Sequence, residues 1–204
     1  MQSVFLIPPD TIEFKPESYF DPLDLAAIFP GRAGLPLEMD LGSGDGSFVM
    51  AMAAASLDRN FLAVERLMGR VRRTCRYTGR LGLRNLRVLR VESHYLLRHL
   101  MPAQSVAVLH IMFPDPWPKR RHNHRRLIQT EFLDAAHTVL QPAGELRLTT
   151  DDHPYFLHMR KVFTAHPGFT EEVWEPGEDY PQTDFERGFR AKGLPIYRAL
   201  LRKA

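Results

Sequence analysis

The sequence predicts an α/β protein in which five strands alternate with helices and two further strands end the chain. The first observation is the composition: 204 residues, 44% hydrophobic and 25% charged, suit a single globular domain with a buried core. The second is that short apolar runs alternate with segments whose apolar residues recur at helical spacing. The third is a glycine-rich stretch between the first strand and the first long helix, an arrangement typical of nucleotide-binding α/β sheets.

The first part of the chain is rich in proline and holds one short helical candidate, residues 21–29. We expect an irregular N-terminal arm over residues 1–36 and the folded domain over residues 37–204. The first residues lack the basic and apolar segments of a signal peptide, and no run reaches the length of a membrane span, which predicts a cytoplasmic protein. The single Cys75 and the spacing of the nine histidines predict neither a disulfide framework nor a metal site.

The first expected strand, residues 37–41, leads into the G-S-G-D-G stretch from Gly42 to Gly46, and a helix is expected over residues 47–57. Glycines permit positive φ and the close approach of a ligand to the backbone. The third glycine of the dinucleotide fingerprint would fall on Ser47, which favours S-adenosylmethionine over NAD, because NAD has a pyrophosphate to hold. A tight turn without a ligand is the alternative.

Two later strands are also expected to lead into acids. Residues 60–65 form the second strand and end at Glu65, about twenty residues beyond the glycines, where a carboxylate can accept both ribose hydroxyls of an adenosine ligand. A helix cap is the alternative role of Glu65, and the nearby glycine stretch favours the ribose interpretation. Residues 86–91 form the third strand, after which Glu92 could contact an adenine or its surroundings.

Charge is unevenly distributed along the chain, although the net charge is only +3. Residues 66–90 contain nine arginines and no acid, whereas residues 171–186 contain seven acids and no base. Arginine suits phosphates and base edges, so RNA or DNA is the expected partner, with a solvated surface as the alternative. A helix is expected over residues 66–79, with arginines opposite its apolar face.

The most distinctive stretch is F-P-D-P-W-P-K-R-R-H at residues 113–122, which follows a fourth strand at residues 105–111. Three prolines exclude helix and interior strand, so a stiff loop is expected at the carboxyl end of a strand, where open α/β sheets bind ligands. Five Arg or Lys and two His lie close to Trp117, between residues 119 and 126. The alternative is a rigid turn in which Asp115 caps the next helix and the cations are solvated.

The remainder of the chain continues the alternation of strands and helices. The expected elements are a helix over residues 124–140, a fifth strand over 145–150 that leads into Asp151-Asp152, a helix over 153–165, and strands over 169–174 and 194–202. Between the last two strands, residues 175–193 form a long polar connection, which often has a function in a compact domain.

Four motifs give the sequence a resemblance to the tRNA (guanine-N7-)-methyltransferases of the bacterial single-chain type. They are F-P-D-P-W-P-K-R-R-H-x-H-R-R-L at residues 113–127, T-D at 150–151, T-x-x-E at 183–186 and G-L-P-I-Y-R at 193–198. The resemblance runs from around Leu37 to the C-terminus. It implies the class I methyltransferase fold, a Rossmann-like α/β architecture with a seven-stranded, mostly parallel sheet, helices on both faces and an antiparallel last strand.

The resemblance also implies an activity: transfer of the methyl group of S-adenosyl-L-methionine to N7 of a variable-loop guanosine in tRNA. Asp115 is implied as the catalytic residue. The implied cofactor contacts are Asp40, Gly42, Gly44, Gly46, Glu65, Glu92 and Asp115. The implied substrate contacts are Lys119, Asp151, Thr183, Asp184, Phe185 and Glu186. Family members commonly have Glu at the position of Asp40 and Asp at that of Glu92, a difference that keeps the charge and changes the reach.

The tRNA partner is expected to contact the basic loop and a second basic segment. RNA binding is assigned to Arg120, Arg121, Arg125 and Arg126, with residues 66–90 as a second candidate surface. Monomer and homodimer both stay open.

Three other functions are compatible with part of the sequence. The D-P-W at residues 115–117 is similar to the D-P-P-Y-type loop of methyltransferases that act on exocyclic base amines. A non-catalytic RNA-binding protein on the same fold is the second alternative, and the acids Asp40, Glu65 and Asp115 argue against it. A dehydrogenase is the third, disfavoured by Ser47 and by the lack of room for a separate substrate domain.

Overall fold

The computed structural model describes residues 6–204, which form two compact units, one ending at Pro102 and the other beginning at Ala103. Each unit contains four strands, so the described chain has eight strands and the expected number of seven was wrong. The alternation of strands and helices confirms the α/β class. None of the helices within residues 6–204 is both long enough and apolar enough to cross a lipid bilayer.

The first unit consists of four parallel strands with helices in the connections. Its strands are β1 (Glu13–Phe14), β2 (Leu37–Leu41), β3 (Asn60–Val64) and β4 (Leu86–Leu89), in the spatial order β1-β4-β3-β2. Its helices are α1 (Leu25–Ile28), α2 (Ser47–Ala55), α3 (Met68–Leu81) and α4 (Ser93–Tyr95), the last continuing into a π-helical turn at Leu96–Leu100. Because the neighbouring strands are parallel, the carboxyl ends of β2, β3 and β4 lie at one edge.

The core of the first unit lies between β3 and the helices α2 and α3. Every residue of β2 and β3 is buried. Val49 of α2, Phe61 of β3, and Val71 and Cys75 of α3 belong to one hydrophobic cluster. The apolar face of α3 expected from helical spacing is therefore the face that packs, and it leaves the arginines of this helix outside.

The strand absent from the sequence-based expectation is β1, which lies in the segment expected to be an irregular arm. Glu13 pairs with Val88 and Phe14 with Leu89 in parallel register. Ile12, just before β1, is fully buried, and its carbonyl oxygen accepts a hydrogen bond of 3.0 Å from the amide of Val88. A two-residue strand has no readable alternation of its own, so only its pairing with β4 defines it.

The second unit is a mixed four-stranded arrangement. Its strands are β5 (Val106–Met112), β6 (Leu140–Thr150), β7 (Phe169–Glu172) and β8 (Tyr197–Lys203), in the spatial order β5-β6-β8-β7. Its helices are α5 (Thr130–Val139), α6 (His153–Thr164) and α7 (Asp184–Ala191). β5 and β6 are parallel, whereas β8 is antiparallel to both β6 and β7, which confirms the expected antiparallel last strand.

Two elements of the second unit differ from the sequence-based expectation. The helix expected over residues 124–140 begins only at Thr130, because Arg120–Arg125 form a 3-10 turn and Arg126 is extended. The polar connection over residues 175–193 contains α7, an eight-residue helix. Its sequence, D-F-E-R-G-F-R-A, holds only two large apolar residues, so the helical spacing was too weak to predict it.

Candidate functional site

The glycine stretch of the first unit forms a tight turn between β2 and α2. The amides of Gly42 and Ser43 both donate to the carbonyl oxygen of Val64, each at 2.9 Å. Gly46 has φ +79°, and a Cβ atom added to it would lie 2.5 Å from Cγ2 of Thr74 in α3. The turn therefore needs glycine at this position both for its left-handed backbone and for its close approach to α3.

Two serine hydroxyls in this turn are buried without a hydrogen-bond partner within residues 6–204. They are Oγ of Ser43 and Oγ of Ser47. Buried polar atoms are normally hydrogen-bonded, so these two hydroxyls are available to a polar ligand or to a water molecule. This observation fits an adenosine-containing cofactor held at the turn.

Asp40 of β2 is an acid in the interior of the first unit. Its exposed fraction is 3%. Burial, followed by the negative charges of Glu65 and Asp45, raises the pKa of Asp40 to about 7. A carboxyl group with a strongly shifted pKa beside a glycine turn is typical of a functional site.

The acids Glu65 and Glu92 follow the neighbouring strands β3 and β4, and the carboxylate of each accepts hydrogen bonds from two backbone amides. Oε1 of Glu65 accepts from the amides of Arg66 at 2.8 Å and Leu67 at 2.9 Å, ahead of α3. The two carboxylate oxygens of Glu92 accept from the amides of His94 and Tyr95 at 2.9 and 2.7 Å. Glu92 is the N-cap of α4, whereas the N-cap of α3 is Leu67 and no side chain caps that helix, so Glu65 is not a helix cap. Among residues 6–204, Oε2 of Glu65 contacts Arg70, at 3.5 Å. Oε2 of Glu65 can still accept hydrogen bonds from ribose hydroxyls.

The proline-rich loop of the second unit starts directly after β5 and has an unusual backbone. Phe113 and Trp117 both have positive φ, 55° and 44°. Such conformations are costly for non-glycine residues and cluster at functional sites. The amide of Phe113 donates to Thr149 of β6 at 2.8 Å, and Asp115, in the middle of the loop, is exposed.

Asp151 lies at the same edge of the second unit as this loop. β5 and β6 are parallel, with Met112 opposite Thr149, so the residues that follow them emerge side by side. Asp151 is half-buried, whereas its neighbour Asp152 caps α6 through a hydrogen bond of 2.7 Å from the amide of Tyr155. The two adjacent acids therefore have different environments, and Asp151 is the one that is not a helix cap.

The end of the loop is anchored by Arg126. Its Nε donates to the carbonyl oxygen of Pro116 at 2.9 Å, and its guanidinium lies 4.9 Å from the ring centroid of Tyr155. Tyr155 is fully buried, and its hydroxyl accepts from the amide of Ile128. Arg126 is itself only 7% exposed. The structure therefore favours a loop-holding role for Arg126 over the RNA contact expected from the sequence.

The other basic residues of the loop differ from Arg126 because they are exposed. These are Lys119, Arg120, Arg121 and Arg125. The guanidinium of Arg125 lies 5.1 Å from the ring centroid of Trp117, which also meets His122 edge-on at 5.8 Å. The loop thus presents cations outward around an aromatic centre.

The segment Thr183–Glu186 begins α7 and is joined to the proline-rich loop. Oγ1 of Thr183 accepts from the amide of Glu186 at 3.0 Å and so caps the helix. One turn further on, Phe189 contacts Phe113 with ring centroids 5.4 Å apart. Asp184 and Phe185 are exposed beside this contact.

Glu186 differs from the rest of its motif because it is buried, with 4% of its surface exposed. Its Oε1 accepts from Nε of Arg190 at 2.8 Å and from the guanidinium of Arg198 in β8. The T-x-x-E and G-L-P-I-Y-R motifs are therefore in contact through an ion pair. Sequence reasoning missed the role of Arg198; the only available signal was that the two motifs occur together.

The strand order and the sites at strand ends define the class of protein. Two solved structures with this fold are the antibiotic-resistance methyltransferase Kmr (TM-score 0.60, 20% identity, 89% of this chain and 93% of that chain) and the 16S rRNA methyltransferase KamB (TM-score 0.64, 17% identity, 85% and 90%). A family model described as a putative methyltransferase matches residues 35–199. The chain is therefore a class I methyltransferase in fold and a methyltransferase by family.

Comparison with curated relatives identifies a more specific family for this chain. A tRNA (guanine-N(7)-)-methyltransferase of Syntrophotalea carbinolica is 34% identical over 187 residues, 90% of this chain and 80% of the relative. The enzyme of the same name from Halorhodospira halophila is 38% identical over 88% of this chain and 79% of its own length. The one from Streptomyces coelicolor is 39% identical over 89% of this chain and 68% of its own length. The chain belongs to the tRNA (guanine-N7-)-methyltransferase family.

Proposed function

We propose that this protein transfers the methyl group of S-adenosyl-L-methionine to N7 of the variable-loop guanosine at position 46 of tRNA. The observation that carries the proposal is the strained loop after β5, which exposes Asp115, continues into a run of exposed cations and is anchored at its end by Arg126. The relatives that are named tRNA (guanine-N(7)-)-methyltransferases align with most of the length of this chain, which supports the same reaction here. Because tRNA is the proposed substrate, a cytoplasmic location is the expected one.

The chemistry of the acceptor determines what the protein has to supply. N7 of guanine has an in-plane lone pair and no proton, so no general base is needed to create the nucleophile. When bound, S-adenosyl-L-methionine supplies a methyl group that is activated by a positively charged sulfur. The protein's task is to hold the base in line with that group and to exclude water.

The first unit would hold the cofactor. The buried hydroxyls of Ser43 and Ser47 are suited to its polar atoms, and Oε2 of Glu65 is suited to its ribose hydroxyls. Glu92 caps α4 with both oxygens, and its exposed carboxylate would contact the adenine surroundings. Asp40, inside β2, would keep negative charge near the turn once its buried carboxyl group ionises.

The second unit would hold the guanine and the adjoining RNA. Asp115 is proposed to accept hydrogen bonds from the N1 or N2 edge of the base and to stabilise the positive charge that the purine gains. Lys119, Asp151 and the exposed part of the Thr183–Phe185 segment would position the nucleotide. Arg120, Arg121 and Arg125 would bind phosphates, which predicts an affinity for tRNA that falls steeply with salt.

The test is transfer of labelled methyl groups to an unmodified tRNA transcript, followed by nucleoside analysis, beside a transcript whose variable-loop guanosine is replaced. Label recovered as 7-methylguanosine, and lost with the replacement, is the expected result. Label on an exocyclic amine would instead support the alternative function, a methyltransferase of the D-P-P-Y type that acts on base amines. Cofactor binding without any transfer would favour the non-catalytic RNA-binding alternative.

A further inference from the structure

We propose that the outer face of α3 is a second RNA-binding surface that holds the sugar–phosphate backbone of the tRNA substrate. This α3 arginine face consists of Arg72, Arg73, Arg76, Tyr77 and Arg80. The inference rests on the proposed function, because the partner to which it commits is the tRNA substrate.

The position of these residues on the helix makes the face continuous. At about 100° per residue, the five side chains fall within one side of α3. The opposite side is in the core, since Val71, Thr74 and Cys75 are buried. All five members of the face are exposed, so the surface is available to a large partner.

The charge of the face is not balanced within the helix. α3 contains five arginines and no acid, and the whole stretch from Arg66 to Arg90 has none. Arg72, Arg76 and Arg80 stand four residues apart, a spacing at which like charges repel each other and destabilise a helix. An ordinary solvated face would relieve this with glutamates at the same spacing. A polyanion relieves it instead, because phosphates neutralise the arginines.

Tyr77 holds two of the arginines in place. The guanidinium carbons of Arg73 and Arg80 lie 5.7 and 5.6 Å from the centroid of its ring. These cation–π contacts limit the freedom of two long side chains before any ligand arrives. Less conformational entropy is then lost when the guanidinium groups bind phosphates, which raises affinity through preorganisation.

The remaining two arginines offer unused donors. Within residues 6–204, neither Arg72 nor Arg76 makes an ion pair or a side-chain hydrogen bond, whereas Arg73 meets Asp45 at 3.8 Å. A guanidinium presents donors in a planar fork that matches phosphate oxygens. The face therefore combines two free guanidinium groups with two positioned ones along one helix.

The experiment compares tRNA binding by the wild-type protein and four variants at salt concentrations between about 50 and 200 mM. The first is Arg72→Gln/Arg76→Gln. The second, Arg98→Gln/Arg160→Gln, removes the same charge from two exposed arginines outside the face. The other two variants are Tyr77→Ala, which removes the aromatic ring, and Tyr77→Phe, which keeps it. Fluorescence anisotropy with an unmodified transcript gives the dissociation constants, and thermal melting verifies that each variant is folded.

We expect the Arg72/Arg76 double variant to bind tRNA about tenfold more weakly at physiological salt. The slope of log K against log salt concentration should be shallower by about 2 than in the wild-type protein. Its KM for tRNA should rise while kcat at saturating tRNA and cofactor affinity stay unchanged. Tyr77→Ala should weaken binding and Tyr77→Phe should not.

If the wild-type protein methylates tRNA, equal dissociation constants and equal salt slopes for the Arg72/Arg76 variant and the Arg98/Arg160 variant would refute the proposed RNA-binding role of the α3 arginine face alone. A wild-type protein that neither binds nor methylates tRNA would instead overturn the proposed function. The two failures are therefore distinguishable.

Discussion

Nε of Arg126 donates a hydrogen bond of 2.9 Å to the carbonyl oxygen of Pro116, which closes the proline-rich loop on itself. Asp115 is the residue directly before this anchored carbonyl. The bond lies in a mostly buried setting, because Arg126 is 7% exposed and packs over Tyr155. The conformation of the loop around the proposed catalytic carboxylate thus depends on a basic residue that RNA would not easily reach.

Replacing this arginine should loosen the loop and destabilise the protein. Arg126→Gln is expected to lower the free energy of unfolding by about 1.5–3 kcal/mol, the range for a hydrogen bond from a charged donor. Urea denaturation measures the change. Arg120→Gln, an exposed neighbour, is the control and should leave stability within error while weakening tRNA binding. Equal losses of stability in both variants would contradict the role assigned to Arg126.

The carboxylate itself should matter for turnover more than for cofactor binding. Asp115→Asn is expected to lower kcat by about 10²–10³-fold, because a stabilising negative charge is lost where the purine becomes positive. Calorimetric titration with S-adenosylhomocysteine should show a much smaller change in affinity. Glu178→Gln, an exposed acid outside the site, should leave both quantities unchanged. A fall in cofactor affinity that matches the fall in kcat would refute the role.

The pKa of Asp40, raised to about 7 by burial and by Glu65 and Asp45, predicts a pH-dependent stability. The unfolded chain releases this proton near pH 3.8, below the pH at which the folded chain releases it. Stability contributed by the protonated folded group is therefore lost as the pH rises between 3.8 and about 7. The loss is at most about 1.4 kcal/mol for each pKa unit.

Asp40→Asn should flatten this dependence, because the amide does not ionise. Urea unfolding at pH 5 and pH 8 should show a smaller difference in the variant than in the wild-type protein. Asp58→Asn, at an exposed position, should keep the wild-type difference. An unaltered difference in the Asp40 variant would exclude this carboxyl group as its source.

Two glycines of the first unit provide a matched pair of substitutions. Gly46→Ala should lower the free energy of unfolding by about 1–3 kcal/mol and weaken cofactor binding, because φ is +79° and the new Cβ atom would clash with Thr74. A Cβ atom added to Gly69 in α3 would meet no atom of residues 6–204 within 4 Å, so Gly69→Ala should stabilise the protein by about 0.5 kcal/mol. Thermal and urea unfolding distinguish the two, and a neutral Gly46→Ala would disprove the close approach.

The buried Glu186 is expected to position α7 rather than to contact the substrate, which is the role that the resemblance implied. Glu186→Gln should lower the free energy of unfolding by about 1.5–3 kcal/mol, because Arg190 and Arg198 lose their charged acceptor. Asp184→Asn, exposed in the same helix, should change stability little. Circular dichroism during urea unfolding compares them. Equal stability of the two variants would make the ion pair with Arg198 unimportant for the fold.

Features that depend on neighbouring residues were predictable from the sequence. The strand–glycine–helix order around Gly46, the stiff loop around Asp115 and the core face of α3 follow from backbone restrictions and helical periodicity, which act over a few residues. The motifs were equally readable, since their letters stand close together. These local signals were sufficient for the α/β class and for the choice of family.

Tertiary structure decided the features that depend on distant partners. β1 exists because residues near position 13 pair with β4, and no local pattern encodes that pairing. Arg126 and Arg120 belong to one basic run, yet only packing against Tyr155 buries the first and leaves the second exposed. The burial that shifts the pKa of Asp40 likewise arises only when separate segments assemble, because desolvation and neighbouring charges act through space rather than along the chain.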